Sequence, residues 1–223
     1  MNARRAPATV LLAGATGLIG RELTLQLLAQ TPAPRLHALV RRVPDAADER
    51  VMWQCVDFAA LPTLPVAEQA YCCLGTTIKQ AGSQAAFRAV DFDAVLAFAR
   101  AARTAGVRRF GVVSALGASA RSASFYNRVK GEMEAAVAAL GFDSLVIARP
   151  SLLAGDRAAL GQPQRSGEQL ALWLTGPIAG LIPKGMRPIK ARTVARAMMV
   201  ALQQQRPGVR SVESGELQDL GSE

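Results

Sequence analysis

Tyr126 and Lys130 stand four residues apart in residues 124–140, a stretch with helical spacing of its apolar side chains. On a helix such a pair shares one face. A phenol has an ordinary pKa of about 10, and an ammonium beside it favours the phenolate, which brings the group toward acid/base work at neutral pH. Ser114 follows the apolar strand pattern of residues 109–113, twelve residues before Tyr126. In a doubly wound sheet, ligands gather at the carboxyl ends of the strands. A hydroxyl at that place is suited to hold a substrate oxygen next to the tyrosine. Tyr-x-x-x-Lys by itself also describes two exposed helix residues. Its coincidence with Ser114, in a chain whose only lysines are Lys79, Lys130, Lys184 and Lys190, is what points to a site.

Chemistry of this kind needs a cofactor, and the start of the chain offers a place for one. Residues 10–13 are a short apolar run; Gly14, Gly17 and Gly20 follow, and then a leucine-rich helical pattern over residues 21–28. Strand, glycine turn and helix is the layout of a dinucleotide site. Glycine permits the sharp turn and the close approach of a pyrophosphate. The helix directs its free N–H groups and the positive end of its dipole at the phosphates. The spacing is Gly-x-x-Gly-x-x-Gly, and a glycine turn alone also serves a tight connection without a ligand. A nucleoside-triphosphate loop is excluded, because Ile19 stands where its second glycine would be and Gly20 is followed by Arg21.

The elements that must position these residues alternate along the chain. Strand patterns cover residues 10–13, 35–40, 51–56, 70–74, 109–113 and 144–148, and helical patterns cover 84–104, 124–140 and 191–204. The long helix 84–104 presents Phe87, Val90, Val95, Leu96 and Phe98 as its apolar face. Residues 58–66 carry two prolines and are expected to form a loop where many such folds place a helix. Strands separated by helices imply parallel pairing, and their continuous apolar runs suit a sheet covered on both faces. The expected fold is therefore an α/β doubly wound parallel sheet of Rossmann type. A single domain spans 1–223, with residues 150–205 as a small substrate-side extension. The polar stretch 212–223 is expected to be loosely held.

Composition narrows the function classes. The chain has 223 residues, half of them apolar, enough for one sizeable α/β domain. The greasy stretch 171–183 is broken by Thr175, Gly176, Pro177 and Gly180 and is too short to span a bilayer. Trp173, with Leu172 and Leu174, suits either a substrate pocket or the core. The net charge of +9 is almost all arginine in excess, scattered and without a nucleic-acid motif or aromatic platform. Specific nucleic-acid binding and membrane insertion are not expected; a small-molecule substrate is, and a homo-oligomer is compatible with the sequence. Residues 1–7 read as a loose basic tail and the apolar run after them is too short for a secretion signal, so a cytoplasmic protein is expected. Cys55, Cys72 and Cys73 suit reduced thiols, and the lone His37 gives no basis for a metal site.

The ordered set Gly14-x-x-Gly17-x-x-Gly20, Ser114 and Tyr126-x-x-x-Lys130 resembles the short-chain dehydrogenase/reductase superfamily. Residues 73–77, 113–117, 126–132 and 148–151 resemble its atypical, epimerase-like NAD(P)-binding branch, the subgroup related to the Tat-interacting oxidoreductase-like protein. The resemblance covers about residues 8–205. It implies that Ser114 hydrogen-bonds the substrate oxygen, that Tyr126 gives or takes its proton, and that Lys130 tunes Tyr126 and holds the nicotinamide ribose. It further implies a cofactor lined by Gly14, Thr16, Gly17, Leu18 and Ile19, by Leu74, Gly75 and Thr76 after the fourth strand, by Asp57 near the adenine, and by Arg149, Pro150, Ser151 and Leu152 near the nicotinamide. It departs at Asp91, where extended members often carry Asn, so the proton-relay machinery is not carried over whole.

Cofactor choice follows from the end of the second strand. An acid about twenty residues beyond the glycine turn binds a ribose 2′-hydroxyl and repels a 2′-phosphate. This chain has Arg41 and Arg42 there instead, and guanidinium groups pair well with phosphate. NADP(H) is expected over NAD(H). The expected activity is an NADP-dependent oxidoreductase acting on a carbonyl or alcohol. The alternative is an NADP(H)-binding regulator or redox sensor with little or no catalysis.

Overall fold

A computed structural model describes residues 8–154 and 183–222. Strands β1 (Thr9–Ala13), β2 (Arg35–Val40), β3 (Val51–Cys55), β4 (Gln69–Cys72), β5 (Arg109–Val113), β6 (Ser144–Arg149) and β9 (Gly208–Glu213) form one seven-stranded sheet, in the order β3-β2-β1-β4-β5-β6-β9. Every neighbouring pair is parallel. Two short strands, β7 (Leu153–Ala154) and β8 (Ile189–Lys190), pair apart from it. The helices are α1 (Leu18–Leu28), α2 (Ile78–Ala81), α3 (Gln84–Arg88), α4 (Val95–Thr104), α5 (Phe125–Ala138), α6 (Ala191–Gln203) and α7 (Ser214–Gly221).

The sheet is doubly wound, as the apolar strand patterns imply, and the alternation of side chains along β1 shows why. Val10 and Leu12 pack into one core with α1, α6 and α7, through Leu23, Leu27, Met198, Leu202 and Leu217. Leu11 and Ala13 face the other core, with Phe98 of α4, Phe110 of β5, and Met133 and Val137 of α5. The chain reverses its direction of travel across the sheet between β1 and β4, which opens a crevice at the carboxyl ends of these strands.

Residues 84–104 are helical throughout, as expected, with a π-helical turn, Ala89–Ala94, between α3 and α4. Two sequence expectations are corrected. Residues 212–222 are not a loose tail. Val212 is buried in β9, and Gly221 lets α7 lie so close to α6 that a Cβ there would come within 2.1 Å of the Thr193 carbonyl oxygen. The seventh strand itself is absent from the sequence reading, because an exposed edge strand such as Gly208–Glu213 carries little apolar pattern. Residues 58–66 form the expected loop. The readings of residues 1–7, of Trp173 and its leucines, and of residues 155–182 within the 150–205 extension lie outside the described residues.

Candidate functional site

Two adjoining cavities occupy the crevice, of about 430 and 620 Å3. Gly17, Cys73, Leu74 and Gly75 line both, so the glycine turn and the loop after β4 form the ridge between them. The three glycines of the turn have different reasons to be glycine. Gly14 has φ +82°, and a Cβ on it would lie 2.5 Å from the Cys73 carbonyl. A Cβ on Gly20 would lie 2.0 Å from the Gly14 oxygen. Both are demanded by the protein's own packing of α1 against β1 and β4. A Cβ on Gly17 would make only an ordinary 3.4 Å contact, so the fold does not require glycine there. Gly17 also precedes the first turn of α1, which has no side-chain cap. Unshielded N–H groups at a helix N-terminus, beside a glycine the fold does not demand, fit a diphosphate.

The smaller cavity holds the proposed chemistry. Ser114 follows β5 and is 4% exposed, and its Oγ has no hydrogen-bond partner among the described residues. Tyr126 and Lys130 line the same cavity from α5, where Gly131 lets the helix approach Ser119 and Ala120. The Tyr126 ring packs on Phe87 with centroids 5.2 Å apart. Asp91, in the π turn, is 0% exposed, and its Oδ1 lies 2.7 Å from the Lys130 Nζ. Its Oδ2 accepts from the Thr76 N–H at 2.8 Å. Burial opposes the Lys130 charge, but Asp91 and Tyr126 outweigh it, so its pKa is held above the ordinary lysine value.

Most of the residues singled out in the sequence meet in this crevice. Gly17, Leu18, Ile19, Leu74, Gly75, Thr76, Ser114, Tyr126, Lys130, Pro150, Ser151 and Leu152 line the smaller cavity. Gly14, Thr16, Gly17, Arg41, Asp57, Leu74 and Gly75 line the larger one, with Val40, Phe58 and Ala59. Two lie elsewhere. Arg42 is exposed and lines neither cavity. Arg149, expected beside the nicotinamide, lines neither cavity and is ion-paired. Its Nε and NH2 bond Glu134 of α5 at 3.0 and 2.5 Å, and its NH1 bonds Glu213 at 2.9 Å. The register of β6 against β9 sets Arg149 beside Glu213. Its pKa is raised, first by Glu134 and then by Glu213 against the opposing effect of burial.

Gln80 and Leu153 also line the smaller cavity and were not singled out in the sequence, and Thr77 and Leu116 line it from the stretches 73–77 and 113–117. The structural part of Asp91 was legible as an acid in register with Phe87 and Val95, on the apolar face of its helix. Ser151 Oγ donates to the Arg187 carbonyl at 2.5 Å and accepts from Ser214 Oγ at 2.9 Å, tying the cavity wall to α7. His37 Nε2 lies 2.7 Å from Gln54 Oε1. Among the described residues no group of three His, Cys, Asp or Glu side chains is placed to hold a metal ion, and no helix is long and apolar enough to cross a membrane.

A family model described as NAD(P)H-binding matches residues 14–169. Protein HTATIP2 of Rattus norvegicus is 35% identical over 198 residues, covering 86% of this chain and 79% of the rat protein. The protein named "fmp52, mitochondrial" of Emericella nidulans is 33% identical over 181 residues, covering 77% of this chain and 76% of its own. Among solved structures, MoeE5 in complex with UDP-glucose and NAD superposes with a TM-score of 0.68 at 17% identity, covering 94% of this chain and 79% of that one. A UDP-N-acetylglucosamine 4-epimerase from Methanobrevibacter ruminantium gives 0.67 at 13% identity, covering 94% and 77%. At such identities the likeness is one of fold. The cytoplasmic expectation is corrected by the fungal relatives, which are named mitochondrial. The short apolar run that argued against secretion does not separate one intracellular compartment from another. The chain belongs to the NAD(P)H-binding family.

Proposed function

We propose that this protein is an NADP(H)-dependent oxidoreductase acting on a carbonyl or alcohol carbon. The observation that carries the reading is the meeting of Ser114, Tyr126 and Lys130 in one cavity that adjoins the Gly17 cradle. The diphosphate would lie against Gly17 and the start of α1, the adenosine end against Asp57, Phe58 and Arg41, and the nicotinamide end against Pro150, Ser151 and Leu152. When bound, the nicotinamide supplies a two-electron exchange with a substrate carbon. Ser114 Oγ, buried and without a partner among the described residues, donates a hydrogen bond to the substrate oxygen. Tyr126 passes a proton to or from that oxygen, and Lys130 orients the phenol and offers its ammonium to the ribose. Support for NADP(H) comes from Arg41, which lines the adenosine-side cavity at the end of β2, where an acid would otherwise repel a 2′-phosphate.

The test pairs cofactor titration with turnover. NADPH binds more tightly than NADH, and Arg41→Ala raises the NADPH Kd about 10- to 100-fold, the loss of a charge-assisted hydrogen bond, while leaving NADH unchanged. Equal or tighter NADH binding by the unmodified chain refutes the NADP(H) assignment. Tyr126→Phe abolishes carbonyl turnover and keeps NADPH binding. An unmodified chain that binds NADPH but reduces no member of a carbonyl panel is a dinucleotide-binding regulator instead.

A further inference from the structure

Leu116 and Leu152 are large apolar side chains left 36% and 38% exposed, and both line the smaller cavity. Main-chain hydrogen bonds fix them there. The Ser114 N–H donates to the Ala148 carbonyl at 2.7 Å and the Leu116 N–H to the Pro150 carbonyl at 3.0 Å, so the β5–β6 pairing runs on past the ends of both strands. Ser114 and Leu116 are thereby carried into one cavity, a hydroxyl for the substrate oxygen two residues from a partly exposed leucine. Leu153 of β7 adds to the apolar wall. Its segment is anchored to β8, where the Ile189 N–H donates to the Leu152 carbonyl at 3.0 Å.

Polar side chains of the same cavity are committed to the protein. Thr77 Oγ1 accepts from the Gln80 N–H at 3.1 Å and donates to Gln80 Oε1 at 3.4 Å. Ser151 Oγ is engaged by the Arg187 carbonyl and by Ser214. Among the described residues, the charged side chains that line the cavity are Asp91 and Lys130, 2.7 Å apart, and each offsets the field of the other. A substrate phosphate or carboxylate would give up its hydration there without gaining a counter-charge. Hydrocarbon would instead leave water and cover Leu116, Leu152 and Leu153.

We propose, on the oxidoreductase reading above, that the substrate is a neutral aldehyde or ketone with a hydrocarbon substituent and no phosphate or carboxylate, and that Leu116 determines this specificity. The carbonyl oxygen meets Ser114 and Tyr126, and the hydrocarbon packs on Leu116. In reduction the carbonyl carbon takes a hydrogen with its electron pair from the reduced nicotinamide dinucleotide, which is oxidised. The oxygen takes the Tyr126 proton to give the alcohol, and Tyr126 regains a proton from water. Leu116 is the wall residue to vary, because Leu152 also borders the place assigned to the nicotinamide.

The test is a series of straight-chain aldehydes from propanal to octanal, with the reduced dinucleotide saturating. The kcat/KM rises about two- to fourfold for each added methylene. Hexanal exceeds 6-oxohexanoate, a chain of the same length that ends in a carboxylate, by about tenfold or more. Leu116→Ala flattens the dependence on length, and Leu116→Lys, which adds a cation, narrows the preference for hexanal. Hexanamide and octanamide, whose carbonyl is not reduced, are titrated in parallel into the complex with the reduced dinucleotide. Octanamide binds more tightly, and Leu116→Ala removes most of the difference. A flat aldehyde series, or a preference of the unmodified chain for 6-oxohexanoate, overturns the proposal and leaves the oxidoreductase reading in place. A slope unchanged in Leu116→Ala overturns the role of Leu116. Length-dependent amide binding that Leu116→Ala abolishes, in a protein that turns over no aldehyde, upholds the apolar subsite and refutes the oxidoreductase reading. Failure to bind the amides or to turn over any aldehyde refutes both.

Discussion

Replacing Lys130 with Met removes the cation and leaves its volume approximately filled, so the variant isolates the electrostatic cost of a carboxylate left without its partner. Asp91 is 0% and Lys130 3% exposed, so direct solvation of a stranded carboxylate is small. Breaking a buried pair by removing one member costs about 3–5 kcal/mol. The Thr76 N–H still donates to Asp91 Oδ2 at 2.8 Å, and a hydrogen bond to a charged group retains part of its solvation. The expected loss is therefore at the lower end, about 3 kcal/mol. For a chain of this size each kcal/mol corresponds to about 2–4 °C in Tm, a fall of about 6–12 °C. The assay is urea and thermal unfolding of the cofactor-free protein followed by circular dichroism. The double variant Lys130→Met/Asp91→Asn removes the stranded charge and recovers more than half of the loss. A loss under about 1 kcal/mol, or a double variant no more stable than the single one, refutes the buried-pair account.

The glycine turn separates folding from binding. Gly20→Ala brings a Cβ to 2.0 Å from the Gly14 oxygen and prevents native folding, whereas Gly17→Ala leaves Tm within a few degrees and weakens NADPH binding at least tenfold; dinucleotide titration and melting of both variants decide it. Arg149→Ala strands the buried Glu134 carboxylate and lowers stability by about 2 kcal/mol, after allowance for a quarter-exposed guanidinium, but leaves the NADPH Kd unchanged. A selective loss of binding would return Arg149 to the cofactor site. Burial holds the Tyr71, Cys72 and Cys73 protons in the folded chain to higher pH than in the unfolded one. The unfolded thiols release theirs from about pH 8.5, so stability is intact below that value and falls above it, by up to about 1.4 kcal/mol per pH unit for each thiol. Urea midpoints measured across that range check the sign, and Cys72→Ala flattens the slope.

The local pattern of the chain was enough for the parallel doubly wound sheet. Short apolar runs at 10–13, 109–113 and 144–148 can be buried only as strands covered on both faces, and glycine after the first of them marks the turn into α1. Spacing along one helix put Tyr126 and Lys130 on one face, because that relation depends on helical rise alone. Other relations depend on chain segments far apart in sequence. Arg149 belongs to Glu134 and Glu213 rather than to the crevice, because β9 joins β6 in a particular register. Arg41 lines the adenosine-side cavity and Arg42 does not. The partnership of Asp91 with Lys130 needed a π turn that no periodicity announces and a contact between residues 39 positions apart. Residue types and spacing therefore determined the fold and the candidate chemistry, whereas the electrostatic surroundings of that chemistry were decided by packing, since charges interact through space and not along the chain.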